Sequence, residues 1–485
     1  MKRFRSGLPL ALLLLLLTSC ATAPEKTKVA NLPTPAAWTA ATNQVAGGLD
    51  HWWTTFGSTN LNAVVAEALA RNHDLKQALA RVDAALAQAR IAGAEGLPEV
   101  ALSADASKRQ QVFVGLPIPG RSGPLKSKST AYTALLNVSW ELDVWGRIRA
   151  GQSAAMADVQ ASEEDYRGAM QSLAAQTVQA WLAVVAAQRQ LQLAEATVAS
   201  FTLTADQVGE RYRRGLRTAL DYRLALNSAA SARALRAQRQ RELQTARRQL
   251  ETLLGRYPAN ALKVADALPE LSAPVPAGLP SELLERRPDL AAGERRLAAT
   301  LARVKEAKRA LLPRISLTAS GGRSSSELSD LLDSDFNMWT LGANLLQPLF
   351  QGGRLRANIK LTEARARQAL EAYHGLVLRA FREVETALAS EAHLAAREAA
   401  VTEAVHQSRE ALRLARERYF AGLIDFVTVT ESQRNAYNAE TELILVRQQR
   451  LANRVDLYLA LGGGFSPPQA TEVAAAGKPE PLPQQ

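Results

Sequence analysis

Residues 130–150 read TAYTALLNVSWELDVWGRIRA, and the chain changes character inside them. From Thr130 to Val144 the residues alternate. Tyr132, Ala134, Leu136, Val138, Trp140, Leu142 and Val144 fall on one side. The intervening positions are small or polar, apart from Leu135. Successive side chains of a strand point to opposite faces, so this segment is a strand with one apolar and one wet face. Beyond Gly146 the period lengthens. Leu173, Thr177, Ala180, Val184, Ala187 and Leu191 fall at alternating steps of four and three, and the series runs on through Ala194, Val198, Phe201, Ala205 and Val208 to Tyr212. That is coiled-coil spacing. A continuous helix from 148 to 212 would be roughly 100 Å long at the α-helical rise.

Outward from this junction the pattern repeats. A first strand alternates over Val100–Ser107, and the Gly/Pro-rich stretch Gly115–Pro124 reads as the loop joining the two strands. Gly215 marks the turn of a helical hairpin, because glycine tolerates the positive φ of such a turn. A second copy follows. Leu69-Ala70-Arg71 with Asp74-Leu75 recurs as Leu284-Glu285-Arg286 with Asp289-Leu290, and Leu97-Pro98 as Leu312-Pro313. Gly146-Arg147-Ile148-Arg149-Ala150 recurs as Gly353-Arg354-Leu355-Arg356-Ala357. Arg211-Tyr212 with Gly215-Leu216 recurs as Arg418-Tyr419 with Gly422-Leu423, and Leu254-Gly255 as Leu461-Gly462. Each unit is a short amphipathic helix, two strands of about ten residues and a long helical hairpin. In the second copy the strands centre on Ile315–Ala319 and Trp339–Leu345, joined by a loop at Ser324–Asp335. The second seam keeps Val384, Ala387, Leu394, Val401, Val405, Leu412, Ala415 and Tyr419 but breaks at Glu391, Glu398 and Ser408. Those breaks predict a face partly open to water or to a neighbouring chain.

Strands of this length and pattern fit a membrane barrel, yet four cannot close one, since the smallest known type needs about eight. An open sheet in lipid would leave its edge N–H and C=O groups unpaired, at several kcal/mol each. Strands in a membrane therefore imply several chains sharing one barrel.

The N-terminus sets the compartment. Lys2, Arg3 and Arg5 precede a short apolar core, Leu8–Leu17, too short to span a bilayer at about 20 residues. Leu17-Thr18-Ser19-Cys20 has the form of a lipobox, with Cys20 the lipidated residue and Ala21 after it. Cys20 is the single cysteine of 485 residues, which excludes a disulfide framework within one chain. The formal charge is +11, but the arginines alternate with Glu and Gln along helices and no basic block interleaves with aromatics, so a nucleic-acid partner is not expected. No P-loop, nucleophile elbow or metal-spaced cluster of the five histidines is present, so the chain reads as no enzyme and as needing no cofactor beyond the lipid on Cys20.

Taken together these features resemble the TolC-like outer-membrane efflux family, in particular its NodT-type lipoproteins. The carriers are Trp52-Trp53 with Phe56 and Leu61, Trp140-Glu141-Leu142-Asp143 before Gly146-Arg147, Pro348-Leu349-Phe350 before Gly352-Gly353-Arg354, and Arg418-Tyr419 with Gly422 and Asp425-Phe426. The resemblance implies a mostly α chain with a small β part. Long coiled-coil hairpins would form an α-barrel, and four strands per chain would enter a shared trimeric transmembrane β-barrel. It implies a homotrimer in the outer membrane, lipid-anchored, extending into the periplasm, and serving a periplasmic adaptor and an inner-membrane pump as a passive efflux duct. A type I secretion duct and a structural periplasmic coiled-coil lipoprotein are the alternatives. The divisions are a signal peptide (1–19), a lipidated N-terminal segment (20–60), repeat 1 (61–255), an equatorial segment (256–283), repeat 2 (284–462) and a tail (463–485). The Gly215 and Gly422 tips would lie at the periplasmic entrance. There the resemblance implies a gating or cation-selecting set at Asp425, Glu431, Thr428 and Asp221, with Thr428 standing where some members carry an acid. The gate is expected chiefly on the second repeat.

Overall fold

The computed structural model describes residues 35, 37–40, 50–113, 124–265, 267–271, 275, 278 and 280–464. Cys20 and the signal segment lie outside the described residues. In chain order the helices are α1 (Thr59–Arg71), α2 (His73–Ala94), α3 (Arg147–Arg213), α4 (Ala219–Leu253), α5 (Pro280–Arg286), α6 (Pro288–Arg309), α7 (Arg354–Phe420) and α8 (Phe426–Ala460). The strands are β1 (Glu99–Phe113), β2 (Leu125–Leu142), β3 (Arg314–Ser325) and β4 (Asn337–Leu346). Both outgoing arms, α3 and α7, have 67 residues, and both return arms, α4 and α8, have 35. The chain divides into two compact units, one made of Val82–Ser162 with Gly293–Tyr373, the other of Ala30–Arg81, Glu163–Ala292 and His374–Gln485.

The first unit holds the sheet. Its strands pair antiparallel in the order β1-β2-β3-β4. The register carries the alternation across all four strands. Leu102, Leu136, Gly321 and Trp339 lie in one row, and Val100, Val138, Ala319 and Leu341 in another. Between them run Ala101, Asn137, Ser320 and Thr340 on the opposite face. The apolar face is uncovered in the protomer: Leu102, Trp339 and Leu341 are 78%, 76% and 73% exposed.

β1 and β2, at 15 and 18 residues, exceed the expected length. The reason is chemical. Lys108–Gln111 pairs with Lys128–Ser127 and their neighbours, and polar side chains there hide the period while the backbone ladder continues. The expected second loop is also shorter at its start. Ser324 and Ser325 close β3, and two single 3-10 turns follow at Ser329–Leu332 and Ser334–Phe336. The Ser325 hydroxyl donates to Asp330 Oδ2 at 2.6 Å, tying the first turn down. The first loop lies outside the described residues except for Pro124.

The second unit explains the repeated motifs. The short amphipathic helix is two helices, because Asn72 is extended (ψ 132°) and splits α1 from α2. Asn72 Oδ1 accepts from the Leu75 N–H at 3.0 Å, and Asn72 Nδ2 donates to the Leu253 carbonyl at 2.9 Å. At the matching place in the second copy Arg287 donates to the Ala460 carbonyl at 3.2 Å and pairs with Asp289 and Glu383. Pro288 opens α6, where a missing N–H costs nothing. Gly255 (φ 69°) and Gly462 (φ 84°) end the return arms. A Cβ on Gly255 would lie 2.9 Å from the Arg71 carbonyl oxygen, and one on Gly462 would lie 3.1 Å from the Arg286 carbonyl carbon. The recurrent Leu-Gly is thus set by a left-handed residue under a backbone crossing.

The N-terminal aromatics seal this region. Trp52 stacks on Tyr458 with centroids 5.1 Å apart, and Trp52, Trp53 and Phe56 are buried. Farther back, the Thr39 and Ala40 N–H groups donate to the Glu385 carboxylate at 2.7 and 3.1 Å, beside Trp38 packed on Phe381.

Along α3 the predicted seam is buried or half-buried from Leu173 to Val208, and only Tyr212 stands exposed. In the second seam Glu391 and Glu398 are partly exposed and also paired. Arg450 reaches both at 3.0 Å from the return arm, and Arg447 reaches Glu398 at 3.0 Å. Arginine's long stem and forked head let a seam carry acids when its partner helix carries the bases.

Candidate functional site

The hairpin tips are built alike. Leu216 N–H donates to Arg211 O and Gly215 N–H to Tyr212 O, both at 2.9 Å. Leu423 N–H donates to Arg418 O at 2.9 Å and Gly422 N–H to Tyr419 O at 3.0 Å. These are the paired bonds of a Schellman end, which needs a left-handed residue, and Gly215 and Gly422 supply it at φ 74° and 81°. The return arms begin three or four residues later. Thr218 caps α4 through its hydroxyl, which accepts from the Asp221 N–H at 3.2 Å. Asp425 holds the capping position of α8 but makes no side-chain cap bond, and it is exposed.

The two tips meet in one apolar cluster: Ala205 and Val208 from α3, Ala225 and Ala229 from α4, Ala415 and Tyr419 from α7, and Phe426 and Val429 from α8. Tyr419 is its centre and is 1% exposed. Its ring lies 5.2 Å from Phe426, and its hydroxyl donates to Asp221 Oδ2 at 3.3 Å. The Arg217 guanidinium sits 4.2 Å above the same ring and donates to the Tyr419 carbonyl. Arg211 repeats this on Phe420, at 4.8 Å from the ring and 2.9 Å from the carbonyl oxygen. Burial first, then the Asp221 charge, push the Tyr419 phenol up to about 12.

Among the residues singled out from sequence, the structure therefore brings one acid, Asp221, into a contact between tips. Glu431 turns to Arg434 of its own helix. Thr428 is exposed, and its carbonyl accepts from the Ser432 hydroxyl at 2.8 Å. Tyr419, Arg217 and Arg211 do not stand out as site residues in the sequence. The available signal was the duplicated Arg-Tyr pair, whose two tyrosines diverge: Tyr212 is 41% exposed and stacks on Tyr222 at 5.7 Å, while Tyr419 is buried. Among the described residues no group of His, Cys, Asp and Glu is placed to hold a metal, and no helix is long and apolar enough to cross a membrane.

The model of the family described as outer membrane efflux protein matches residues 64–256 and 279–463. The chain belongs to this outer membrane efflux protein family. Over 485 aligned residues it is 35% identical to outer membrane protein OprJ of Pseudomonas aeruginosa, covering 99% of this chain and all of OprJ. It is 30% identical to the cation efflux system protein CusC of Escherichia coli, covering 93% of this chain and 97% of CusC. Among solved structures, the outer-membrane channel OprN superimposes with a TM-score of 0.80 at 30% identity, covering 92% of this chain and 99% of OprN. VceC of Vibrio cholerae gives 0.77 at 27%, covering 86% and 99%. This efflux protein is an outer-membrane channel component that extends into the periplasm. Its mostly helical fold with four strands is that of the family.

Proposed function

We propose that three copies of this chain assemble into a passive duct for small molecules, with β4 of each protomer pairing with β1 of the next. The carrying observation is a four-stranded sheet with two open edges and one continuous exposed apolar face. In lipid, each unpaired edge group would cost several kcal/mol, and pairing between copies removes that cost. Three sheets give twelve strands, above the roughly eight that the smallest membrane barrel requires. The long hairpins would line a tunnel through the periplasm, with the Gly215 and Gly422 tips at its entrance. There Asp221, Asp425, Thr428 and Glu431 would border the gate and an adaptor protein would dock, while an inner-membrane pump supplies the energy. A lipid on Cys20 would add an anchor. A structural coiled-coil lipoprotein would have no use for the apolar sheet face. A type I secretion duct would share the architecture, and the efflux family favours small-molecule export.

The test is extraction of a heat-modifiable trimer from outer membranes, followed by single-channel recording in planar bilayers. A monomer that forms no pore, with or without the tip acids neutralised, overturns the reading.

A further inference from the structure

We infer that the entrance of this duct favours anions, with Arg223 and Arg418 as its selecting residues. The inference rests on the duct reading above and departs from a cation-selecting ring of acids.

The observations concern charge at the tips. At each tip one helix ends and another begins, so the opposed ends of their dipoles largely offset and side chains set the field. Within ten residues of Gly215 stand five arginines, Arg211, Arg213, Arg214, Arg217 and Arg223, against Asp206, Glu210 and Asp221. Around Gly422 the count is even: Arg413, Arg416 and Arg418 against Glu417, Asp425 and Glu431. Each protomer thus contributes two excess positive charges, and three protomers triple it. The background has the same sign. Lys2, Arg3 and Arg5 account for three of the formal +11, so residues 20–485 still carry +8.

Most of the other tip charges are engaged. Glu210 is engaged by Arg213 and Arg214, Glu417 by Arg413, and Glu431 by Arg434. Asp221 takes the Tyr419 hydroxyl. Of the arginines, Arg211 and Arg217 lie on rings and carbonyls. Arg223 and Arg418 are exposed, and neither side chain makes a hydrogen bond or ion pair among the described residues. They add nothing visible to folding. Asp206 and Asp425 are the acids left comparably open, so the positive excess rests on the count of charges at the tips. An unpaired guanidinium at a constriction acts on any ion passing within a Debye length, about 10 Å at 0.1 M salt. Same-sign charge around a narrow mouth raises the local concentration of counter-ions. The solute class is therefore anionic: carboxylated or phosphorylated small molecules would enter more readily than cations of equal size.

The experiment is the reversal potential of the purified full-length trimer in neutral-lipid bilayers under a KCl gradient at neutral pH. The expected potential lies on the chloride side and grows as ionic strength falls. The double variant Arg223→Ala/Arg418→Ala moves it toward zero, and Arg223→Glu/Arg418→Glu moves it to the potassium side. A potassium-side potential in the unaltered channel overturns the inference. So does a potential that ignores both double variants. If export in cells falls while selectivity stays fixed, the arginines serve docking to an acidic partner protein instead, and the inference is again overturned. Absence of any conductance, in the unaltered channel and in a Tyr419→Phe channel alike, sinks the duct reading itself. Conductance with the wrong sign sinks the anion preference alone.

Discussion

The phenol of Tyr419, at the end of α7, donates to the carboxylate of Asp221, in the first turn of α4, at 3.3 Å. This bond joins the two hairpin tips beside those of Arg217 and Arg211 to the Tyr419 and Phe420 carbonyls. It is long for an O–H···O bond, and the ring beneath it is held independently by Phe426 and Arg217. Tyr419→Phe removes the bond and keeps the packing. A hydrogen bond of this kind is worth about 0.5–1.5 kcal/mol net, so the separated state of the tips gains roughly two- to twelve-fold in population. Single-channel recording of the variant should show longer or larger openings with only a small fall in melting temperature. Openings identical to those of the unaltered channel would mean that the bond holds nothing shut.

The same pair sets a pH window. Tyr419 ionises at about 12 in the fold, against 10.0 for the free side chain. A pKa raised on folding contributes stability that is complete below the free value and is lost as pH climbs through the folded value. Conductance should therefore be flat from neutrality to about pH 10 and rise above it as the phenolate forms beside Asp221. In Tyr419→Phe the rise should vanish. A rise that survives the substitution assigns the effect to other groups.

Much of this was legible in residues 130–150 and their second copy. Period two and period three-and-a-half differ enough to separate β2 from α3, and the Gly215 and Gly422 turns follow from glycine's freedom at positive φ. Two of the misses share a cause: they depend on partners distant in sequence. Glu391 and Glu398 look like flaws in an apolar seam until Arg447 and Arg450 arrive from the return arm. Tyr419 looks like one more seam residue until Asp221 and Arg217 close over it from the other hairpin. The end of β1 was lost for a local reason, since Lys108, Arg109, Gln110 and Gln111 carry no polarity contrast to read.

Glycines of equal φ should respond unequally to alanine. Gly215 and Gly462 both lie in the left-handed region, at 74° and 84°. Each loses about 1 kcal/mol or more from φ alone when a Cβ is added. Around Gly215 nothing lies within 4 Å of that Cβ, whereas at Gly462 it meets the Arg286–Arg287 backbone at 3.1–3.2 Å. Gly462→Ala should therefore lower the yield of folded trimer and its Tm well beyond Gly215→Ala. Gly215→Asn should be tolerated best, since asparagine accepts this conformation. Equal melting shifts for the two alanine variants would show that the backbone at 286–287 yields freely.

Arg450 bridges Glu391 and Glu398, and all three side chains are about a quarter exposed. Arg450→Met keeps the stem and leaves two acids half-buried without their shared partner. The expected cost is about 1–3 kcal/mol, between the values for exposed and fully buried pairs. It should appear as a lower Tm and as proteolytic nicking within α7 and α8. Replacing the acids as well, Glu391→Leu and Glu398→Leu, should recover the loss, because the removed partners no longer carry a desolvation penalty. A triple variant as unstable as the single one would show that the ladder acts through something other than its charges.

The two faces of the sheet give the most direct contrast, since Leu341 and Thr340 are adjacent in β4 and point to opposite sides. Leu341 shares a row with Val100, Val138 and Ala319, the apolar side that the barrel would present to lipid. Thr340 shares a row with Ala101, Asn137 and Ser320, the side that would line the lumen. Leu341→Arg places a cation in hydrocarbon, at about 2–4 kcal/mol per protomer near the midplane, and a trimer incurs it three times. Thr340→Arg places the same cation in water. The first should abolish assembled trimer on semi-native gels, while the second should assemble normally and shift the reversal potential toward chloride. Assembly of both variants would remove the lipid-facing role from this face and with it the argument for a shared barrel.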